Sequence, residues 1–546
     1  MIIDTIIFFL AFFLFLSSCI GYGLIFNNNH KLDDNINIFN NFFKGLLFIF
    51  CISFFYHLLI GNIFYLNLLI LFSGIIFCYK KKKFLNLKLV LIICLFLFTG
   101  LLISKTHEDF SSYHYQHINE LTDSYIKLGL SNLDFRYFYS TIFAYLQATF
   151  KNNFYDLNFS QIPIYCIYVS LVGYLYLNTK KNHNTLISIF FLLLLLLKFK
   201  RLSEFGYDYI SQFLLIYIFI EYVYDQRQNK NFQRKIELIL IYFFTILIKI
   251  SNLYFIPFVI YGAVNQNFSI KKIIINKKLI LVSLILFLIF ILNSFLKTGC
   301  FYYLFKSTCL NKTKYNWVIN YNEIESTKNL VKNWSRGFYH QKDQNKLSED
   351  QYNKNFKWVK NWYKIHFITK ILPYLVILFF LFFLIRLLIF KEADKNRKKN
   401  SLIYISLAST FFWFYLFPQF RFGFASISIL IFLILEKFLN SKQNYNKRNL
   451  VYLITISIIF FNLSNFKRIN DEFKRDDIYN FVNFPFHPNP KLNFSEEINN
   501  GIKINRSQNN PSFWRSCWNV EPMCVNHDKK IYLKKKKRFM FISKIE

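Results

Sequence analysis

Residues 87–104 read LKLVLIICLFLFTGLLIS, and residues 105–117, which follow directly, read KTHEDFSSYHYQH. The first segment is apolar and close to the length of about twenty residues that crosses the hydrocarbon core of a bilayer. The second places two carboxylates and three imidazoles close together in a chain with few acidic groups. This junction predicts a membrane-spanning helix that ends in a polar, chemically reactive loop.

The rest of the chain repeats this apolar character. Hydrophobic residues make up 54% of the 546 residues, aromatic residues 21% and charged residues 18%. The apolar residues fall into blocks of spanning length, and about fourteen such spans are expected. The predicted fold class is all-α, a polytopic transmembrane helix bundle with interfacial helices in its outer loops. The first block, residues 6–26, follows no basic segment and precedes no clear cleavage site, so we interpret it as a retained span.

The net charge of +35 is not taken as evidence for a nucleic-acid partner. Lys, Asn, Ile, Phe and Tyr are abundant while Ala, Gly and Pro are scarce, which is the pattern that AT-rich codons produce. The positions of the basic residues along the chain still predict how the protein is oriented in the membrane. Basic short loops such as residues 80–83, 227–235 and 391–399 fall on one side, and the positive-inside rule makes that side cytoplasmic. The expected location is therefore a plasma membrane, with these basic loops in the cytoplasm.

Three long segments share the opposite, outer face: residues 105–160, residues 297–370 and the tail from residue 467. All cysteines of polar segments lie there, and an extracytoplasmic compartment predicts two disulfides among them. Four cysteines allow three pairings, and the sequence does not choose among them. These cysteines are Cys300, Cys309, Cys517 and Cys524.

The basic run Lys534–Arg538 departs from the charge pattern because it lies on the outer side, although long tails are exempt from the rule. In the first outer loop, Ile118, Leu121, Tyr125 and Leu128 recur at helical spacing. This spacing predicts an amphipathic helix on the membrane surface, with a glycine stop at its end.

The carboxylates Glu108 and Asp109 are the favoured catalytic residues. An ionised carboxylate at the mouth of a helix bundle can accept a proton, bind a divalent cation together with His107 or His114, or cap the helix that follows. The sequence leaves these roles open. The metal hypothesis is Mg or Mn held by His107 and Asp109, and no other cofactor is expected.

Lys198, Lys200 and Arg201 lie in a short outer loop, against the charge rule. Such cations can bind a phosphate at the headgroup plane or contact lipid headgroups, and both interpretations stay open. Glu204 and Asp208 follow closely and either orient these cations or form a structural salt bridge.

Arg421 is a second candidate cation, which Pro418 and Gly423 are expected to place in a tight outer turn between two spans. Lys249 and Glu221 lie near predicted span ends, where long side chains reach the interface. The second outer loop is rich in tryptophan, and Ser348 is expected to start a helix there. Those tryptophans form an interfacial belt or stack on sugar rings.

These features together resemble the GT-C superfamily of membrane glycosyltransferases and bacterial polytopic proteins with a His- and Asp-rich first loop. The motifs that carry the resemblance are HEDF at 107–110 with YH at 113–114, RLSEFGYD at 201–208, TGC at 298–300 with TC at 308–309, and PQFRFG at 418–423. The resemblance covers most of a predicted core at residues 87–466. Residues 1–86 are then accessory spans and residues 467–546 an extracytoplasmic tail.

The resemblance implies that an acidic residue of the first outer loop is the catalytic base or a metal ligand, and that the donor is a sugar on a polyprenyl phosphate. Asp109 takes that role by position, with Glu108 as the alternate. The glycan or lipid acceptor would be glycosylated at the periplasmic face. The implied substrate-binding residues are His107, Tyr113, His114, Lys200, Arg201, Glu204, Asp208 and Arg421.

Two other functions stay open. A surface-glycan polymerase or ligase would depend more on arginine and histidine than on an early acidic pair. A flippase or transporter for lipid-linked glycans, which is not an enzyme, predicts ionisable residues at mid-membrane.

Overall fold

The computed structural model is mostly helical. It describes residues 2–25, 34–80, 87–102, 113–122, 125–139, 141–151, 157–179, 185–198, 206–224, 232–265, 277–341, 346–389, 400–438, 446–474, 479–482, 487–490, 493–508, 517, 520, 523–526 and 530–545.

The α-helices in chain order are α1 (Ile2–Ile25), α2 (Asp34–Ile60), α3 (Phe64–Lys80), α4 (Leu87–Leu97), α5 (Tyr115–Glu120), α6 (Phe143–Ala148), α7 (Ile162–Asn178), α8 (Thr185–Lys198), α9 (Asp208–Ile218), α10 (Phe232–Ile248), α11 (Ile256–Asn265), α12 (Lys277–Thr298), α13 (Tyr321–Arg336), α14 (Glu349–Asn353), α15 (Val359–Trp362), α16 (Leu372–Ile389), α17 (Ser401–Leu416), α18 (Phe420–Phe438) and α19 (Lys447–Phe473). A π-helical segment, Tyr363–Ile371, joins α15 to α16. A second one, Phe219–Tyr224, continues α9.

Six helices of the described chain are long and apolar enough to cross a membrane, which identifies a membrane protein. They are Ile3–Ile25, Ile38–Ile60, Phe159–Asn178, Ile280–Thr298, Val359–Ile389 and Lys447–Phe473. Shorter apolar helices accompany them, including Thr185–Leu197 and Ser401–Leu416. The described residues therefore support a membrane helix bundle, but a count of fourteen spans does not follow from them.

Close backbone contacts hold the first helices together. A Cβ atom on Gly21 of α1 would lie only 1.8 Å from the carbonyl oxygen of Gly74 in α3. Small residues let membrane helices approach closely enough for their backbones to pack. The remainder of the bundle core consists of buried aromatic and aliphatic side chains.

Helices α9 and α10 form an antiparallel pair with an ion pair at each end. Asp208 pairs with Lys249 at one end, and Glu221 pairs with Arg234 at the other. Glu221 follows Asp208 by thirteen positions, which corresponds to about 20 Å of helix. Lys249 lies at a helix end as expected, directly after α10, but its side chain is mostly buried and is held by a carboxylate.

The three segments that were predicted to be outer, and that keep this label below, form a mixed domain that contains strands, so the all-α prediction is wrong there. The strands are β1 (Ile126–Leu128), β2 (Tyr479–Val482), β3 (His487–Pro490), β4 (Phe494–Asn499), β5 (Ile502–Ser507), β6 (Cys524–Asn526), β7 (Ile531–Lys536) and β8 (Phe539–Lys544). They form sheets of order β1-β8-β7 and β4-β5-β6 and the ribbon β2-β3. Strand β1 of the first loop pairs in parallel with β8 of the tail.

The predicted amphipathic helix of the first loop is shorter than expected. Helix α5 ends at Glu120, and residues 126–128 are the strand β1. The physical reason is the pairing of β1 with β8, which supplies backbone hydrogen-bond partners from more than 400 residues away. Local periodicity contains no information about such a distant partner.

All three outer segments meet at the side chain of Asn132. Its amide nitrogen donates to the carbonyl oxygens of Trp317 and Ile542, each at 2.8 Å. Gly129 lies beside it with a φ of +79°, and a Cβ atom there would lie 2.5 Å from each of the same two oxygens. The side of the bundle that carries this junction is called the loop face below.

Two disulfides are present in the loop-face domain. Cys300 is bonded to Cys309, and Cys517 is bonded to Cys524. The second disulfide anchors the tail, because the Gln116 side chain of α5 donates to the Cys524 carbonyl oxygen at 3.0 Å. The Cys524 amide in turn donates to the Glu120 carboxylate at 3.3 Å.

Candidate functional site

Part of the predicted site lies outside the described residues. This applies to His107, Glu108 and Asp109, and equally to Lys200, Arg201 and Glu204. The described first loop resumes at Tyr113. The other predicted residues, Tyr113, His114, Asp208 and Arg421, are all described, and the structure brings them to one place.

The centre of that place is the Asp208 carboxylate, on which two cations converge. Lys249 Nζ lies 3.0 Å from Asp208 Oδ1, and Arg421 Nε lies 3.3 Å from Asp208 Oδ2. Asp208 begins α9, Lys249 follows the end of α10, and Arg421 lies in the first turn of α18. Three helix ends therefore meet at one carboxylate. We call Asp208, Lys249, Arg421 and the rings around them the Asp208 cluster.

The environment of Asp208 keeps its carboxylate ionised. Burial disfavours the charged form, but the positive charges of Lys249 and Arg421 outweigh it and lower the pKa of Asp208 to about 2. The amino end of α9 adds a favourable dipole. With so low a pKa, Asp208 is a poor proton acceptor at neutral pH. Its role is to orient the two cations.

Aromatic rings flank both cations. Lys249 Nζ lies 5.2 Å from the ring centroid of Tyr207 and 4.8 Å from that of Phe422. Arg421 Cζ lies 5.1 Å from the centroids of both Trp334 and Phe422. Such contacts are attractive because the ring face is electronegative. Among the described residues, these two cations face one carboxylate, an arrangement that suits an anionic ligand.

The first outer loop reaches this cluster through His114. The imidazole of His114 packs edge-on against Tyr207 with ring centroids 4.8 Å apart. Tyr113 stacks on His114 at 4.1 Å, and the guanidinium of Arg136 lies 4.9 Å from the Tyr113 ring. The cluster is therefore at the loop face of the bundle, beside the described part of the first loop that begins at Tyr113.

Arg421 is not in the tight turn predicted for it. The turn is at residues 417–419, and Arg421 is the second residue of α18. Two buried indoles fix the turn: Trp362 Nε1 donates to the Pro418 carbonyl oxygen at 2.6 Å, and Trp413 Nε1 donates to that of Gln419 at 2.9 Å. The local sequence thus shows that the chain turns here but not where the helix begins.

One buried glutamine connects the three helix ends. Gln212 lies one helical turn after Asp208, and its amide nitrogen donates to Asn252 Oδ1 at 2.9 Å. Its amide oxygen accepts from the Tyr254 hydroxyl at 2.7 Å and from the Ala425 amide at 3.1 Å. Asn252 follows Lys249 closely, and Ala425 is one turn after Arg421. Gln212 therefore acts as a positioning residue for the cluster.

The tryptophans of the second outer loop divide into two groups. Trp317, Trp358 and Trp362 are buried, so they are core residues rather than an interfacial belt or a sugar-stacking surface. Trp334 is 40% exposed and lies against Arg421. Of these four, Trp334 is the one with a ring face available to a ligand at the cluster.

A family model for a domain of unknown function, DUF8201, matches residues 5–428. This chain belongs to the DUF8201 family. The DUF8201 region includes Asp208, Lys249 and Arg421 and ends inside α18. It begins within α1, so it contains the leading helices that the sequence assigned to an accessory segment. Comparison with curated proteins and comparison with solved structures each find no match.

Sequence reasoning missed three residues of the cluster in the DUF8201 region: Tyr207, Gln212 and Lys249. The available signal was Lys249, a single lysine inside a long apolar run. A charge is costly there unless it has a partner, so it points to a carboxylate such as Asp208. Gln212 carried no signal of its own, because an amide in a helix is common at many kinds of site.

The metal hypothesis rests on residues that the structure does not describe. His107 and Asp109 are both in that part of the first loop. Among the residues that are described, no group of three or more His, Cys, Asp or Glu side chains is arranged to hold a metal ion. Whether His107 and Asp109 bind Mg or Mn therefore stays a prediction.

Proposed function

We propose that this protein is a membrane glycosyltransferase that moves a sugar from a polyprenyl-phosphate-linked donor to a glycan or lipid acceptor. The reaction breaks the bond between the anomeric carbon and the phosphate oxygen and forms a bond to an acceptor oxygen. The acceptor hydroxyl loses its proton to a base, and polyprenyl phosphate leaves. The proposed location is the periplasmic face of a bacterial plasma membrane.

The observation that carries this proposal is the convergence of Lys249 and Arg421 on Asp208. The phosphate that departs from the sugar gains negative charge, and fixed cations in a partly dry site stabilise that charge. Arginine offers two parallel donors to phosphate oxygens, while lysine adds a compact charge. Asp208 holds both cations in place before the ligand binds, so little reorganisation is needed.

The location of the cluster fits a lipid-linked substrate. The cluster lies where α9 begins and α10 ends, at the loop face, so a phosphate there would have its lipid chain beside the bundle. The exposed face of Trp334 next to Arg421 is a suitable surface for a sugar ring. The phosphate would then lie beside the two cations, the sugar beside Trp334 and the lipid chain beside the bundle.

The proposed base is Asp109, with Glu108 as the alternate. Asp109 precedes His114 by five residues, and five residues of chain span at most about 18 Å. His114 itself contacts Tyr207 of the cluster. The chain therefore allows a carboxylate of the first loop to reach an acceptor bound beside the two cations.

A second candidate function is a surface-glycan polymerase or ligase that also uses a polyprenyl-linked donor. It is favoured by one observation, the presence of His114 and Arg421 together at the cluster. In that case His114 would be the proton acceptor, and the early acidic pair would be dispensable.

Mutations in cells that make the surface glycan distinguish these functions. The double change Glu108→Gln and Asp109→Asn should abolish the glycan without lowering the amount of membrane-inserted protein. Arg421→Gln should also abolish it. An unchanged glycan in the acidic double variant, with complete loss in His114→Gln, would replace the transferase assignment with the polymerase or ligase. An unchanged glycan in all three variants would contradict both functions.

A further inference from the structure

The basic run Lys534–Arg538 forms the end of the hairpin between β7 and β8, and all five of its side chains are exposed. Within the described part of the chain, Lys534, Lys536 and Lys537 have no acidic partner. By contrast, Lys503 of this tail pairs with Glu496 at 2.5 Å. Among the described residues, the hairpin end is therefore a concentrated positive charge without an acidic partner.

The hairpin end lies at the point where α2 leaves the membrane region. Arg538 Nη1 donates to the Leu59 carbonyl oxygen at 2.7 Å. Leu59 is in the last turn of α2, which is one of the helices long and apolar enough to span a bilayer. Carbonyl groups of a last helical turn lack helical partners, and a basic side chain can satisfy them. This contact fixes the depth of the hairpin relative to the bilayer.

Exposed apolar and aromatic side chains occur at the adjoining helix ends and on the hairpin. Leu59, in the last turn of α2, is 65% exposed, and Tyr65, in the first turn of α3, is 75% exposed. On the hairpin, Tyr532 and Phe539 are exposed on either side of the lysines. Exposed apolar residues at the end of a spanning helix contact lipid, and tyrosines there mark the headgroup level. The lysines therefore share the hairpin end with side chains of the kind that occur at the headgroup level.

The lysines of the run differ in their contacts and backbone conformation. Lys535 lies over the ring of Tyr125 with its ammonium 4.2 Å from the centroid, which attaches the hairpin to the first loop. Lys537 occupies a turn position with a φ of +54°, where glycine or asparagine is favoured. A lysine there has a conformational cost that a glycine would avoid. We therefore expect the side chain of Lys537 to have a role beyond forming the turn.

We infer that the hairpin end at residues 532–539 is a binding surface for the phosphate headgroups of anionic phospholipids. Lys534, Lys536 and Lys537 supply the charge, and Tyr532 and Phe539 enter the interface beside them. Clustered lysines at a membrane surface attract anionic lipids additively, and salt screens this attraction. This inference does not depend on the glycosyltransferase proposal, because none of these residues belongs to the Asp208 cluster.

The test uses the full-length protein in zwitterionic phosphatidylcholine nanodiscs that contain a photoactivatable phosphatidylglycerol probe. Crosslinked peptides are mapped after proteolysis. The wild type should crosslink at residues 532–539 and 59–65. The triple variant Lys534→Gln, Lys536→Gln, Lys537→Gln should lose most of that crosslinking, several-fold or more. The control Lys314→Gln, Lys332→Gln, Lys346→Gln removes the same charge from exposed lysines of another outer segment and should keep it.

Two further measurements show whether the hairpin end binds anionic lipid headgroups or free phosphates. A photoactivatable phosphatidylcholine probe should label the same peptides several-fold less, and rising salt should reduce labelling only by the anionic probe. Soluble glycerophosphate should not compete. Equal labelling by both lipid probes, or unchanged labelling in the hairpin triple variant, would overturn the inference. Competition by soluble glycerophosphate would also overturn it, because the site would then take free phosphates.

Discussion

Lys249 Nζ lies 3.0 Å from Asp208 Oδ1, and this ion pair joins the start of α9 to the end of α10 at the loop face. Both side chains are mostly buried, and Arg421 approaches the other oxygen of the same carboxylate. Each charge of this group loses hydration on burial, and its interactions with the partners compensate for that loss. A buried carboxylate with two cations is therefore stable only when all three groups are present. The cluster is thus a structural joint between helix ends, and we propose that it also binds an anion.

Removing the carboxylate should cost more stability than removing one cation. We expect Asp208→Asn to lower the free energy of unfolding by about 3–5 kcal/mol, because two buried cations are left facing each other. Lys249→Met should cost less, since Arg421 still neutralises Asp208. The measurement is thermal unfolding of the purified protein in detergent.

A surface ion pair is the control for this comparison. Lys503 and Glu496 form an exposed pair in the tail, and Lys503→Met should cost at most about 1 kcal/mol. A similar loss of stability for Asp208→Asn and Lys503→Met would mean that the Asp208 cluster is not held as a buried set.

Replacing Gln212 should show whether this residue positions the cluster for ligand binding or only stabilises the fold. Gln212→Leu removes hydrogen bonds to Asn252, Tyr254 and Ala425, at a cost of roughly 2–3 kcal/mol. It should also weaken binding of polyprenyl phosphate, because the three helix ends are no longer aligned. The binding constant in nanodiscs and the melting temperature are measured on the same preparation.

The control for Gln212 is a hydrogen bond elsewhere in the bundle. The Tyr165 hydroxyl of α7 donates one to the Cys94 carbonyl oxygen of α4 at 3.0 Å, and neither helix contains a residue of the cluster. Tyr165→Phe should lower stability but leave the binding of polyprenyl phosphate unchanged. Equal effects of Gln212→Leu and Tyr165→Phe on binding would show that Gln212 acts only through general stability.

Gly423 should tolerate no side chain. A Cβ atom at this position would lie 2.3 Å from the indole of Trp413, which holds the turn before Arg421. We expect Gly423→Ala to cost about 1–3 kcal/mol through overpacking and to displace Arg421. Gly206→Ala is the matched control, because a Cβ there meets no atom of the described residues within 4 Å. Comparable melting temperatures for the two alanine variants would contradict the packing described for α18.

Acidification should loosen the loop-face domain through His117. Burial, together with the nearby positive charges of Lys297, His114 and Lys127, lowers the pKa of His117 well below its usual value of 6.5. The unfolded chain therefore binds more protons below about pH 6.5, so stability is present above that pH and falls as the pH decreases. His117→Phe keeps the ring beside Tyr137 but cannot be protonated.

The measurement for His117 is the melting temperature between about pH 7 and pH 5, where histidine titrates. The wild type should lose stability over this range, and His117→Phe should lose clearly less. Parallel curves for the two proteins would show that His117 does not set the acid sensitivity.

The sequence predicted what depends on local pattern. Apolar runs identified the membrane helices, and Ser348 was expected to start a helix in the second loop. Its hydroxyl does cap α14, with Gln351 returning the bond. That helix then ends early, because Asn355 and Phe356 adopt positive φ angles. Asparagine tolerates a positive φ, but Asn355 in the polar stretch EDQYNKNFK at 349–357 does not by itself predict a break.

What depends on distant contacts was not predictable from one sequence. Strand β1 exists because β8 lies beside it, and Lys249 is buried because Asp208 and Arg421 are there. Tyr113, His114, Asp208 and Arg421 were chosen from separate motifs, yet the sequence could not show that they meet. Their common location follows from the antiparallel packing of α9 and α10 and from the contact of His114 with Tyr207.

The central claim is that Lys249 and Arg421 hold the phosphate of a lipid-linked donor. The most direct test is a cryo-EM map of the protein in nanodiscs with a non-hydrolysable polyprenyl-phosphate-sugar analogue. The account predicts phosphate density within hydrogen-bonding distance of both cations, with the lipid chain along the bundle and the sugar beside Trp334. Phosphate density elsewhere on the protein, with Lys249 and Arg421 in unchanged contact with Asp208 and no density beside them, would contradict it.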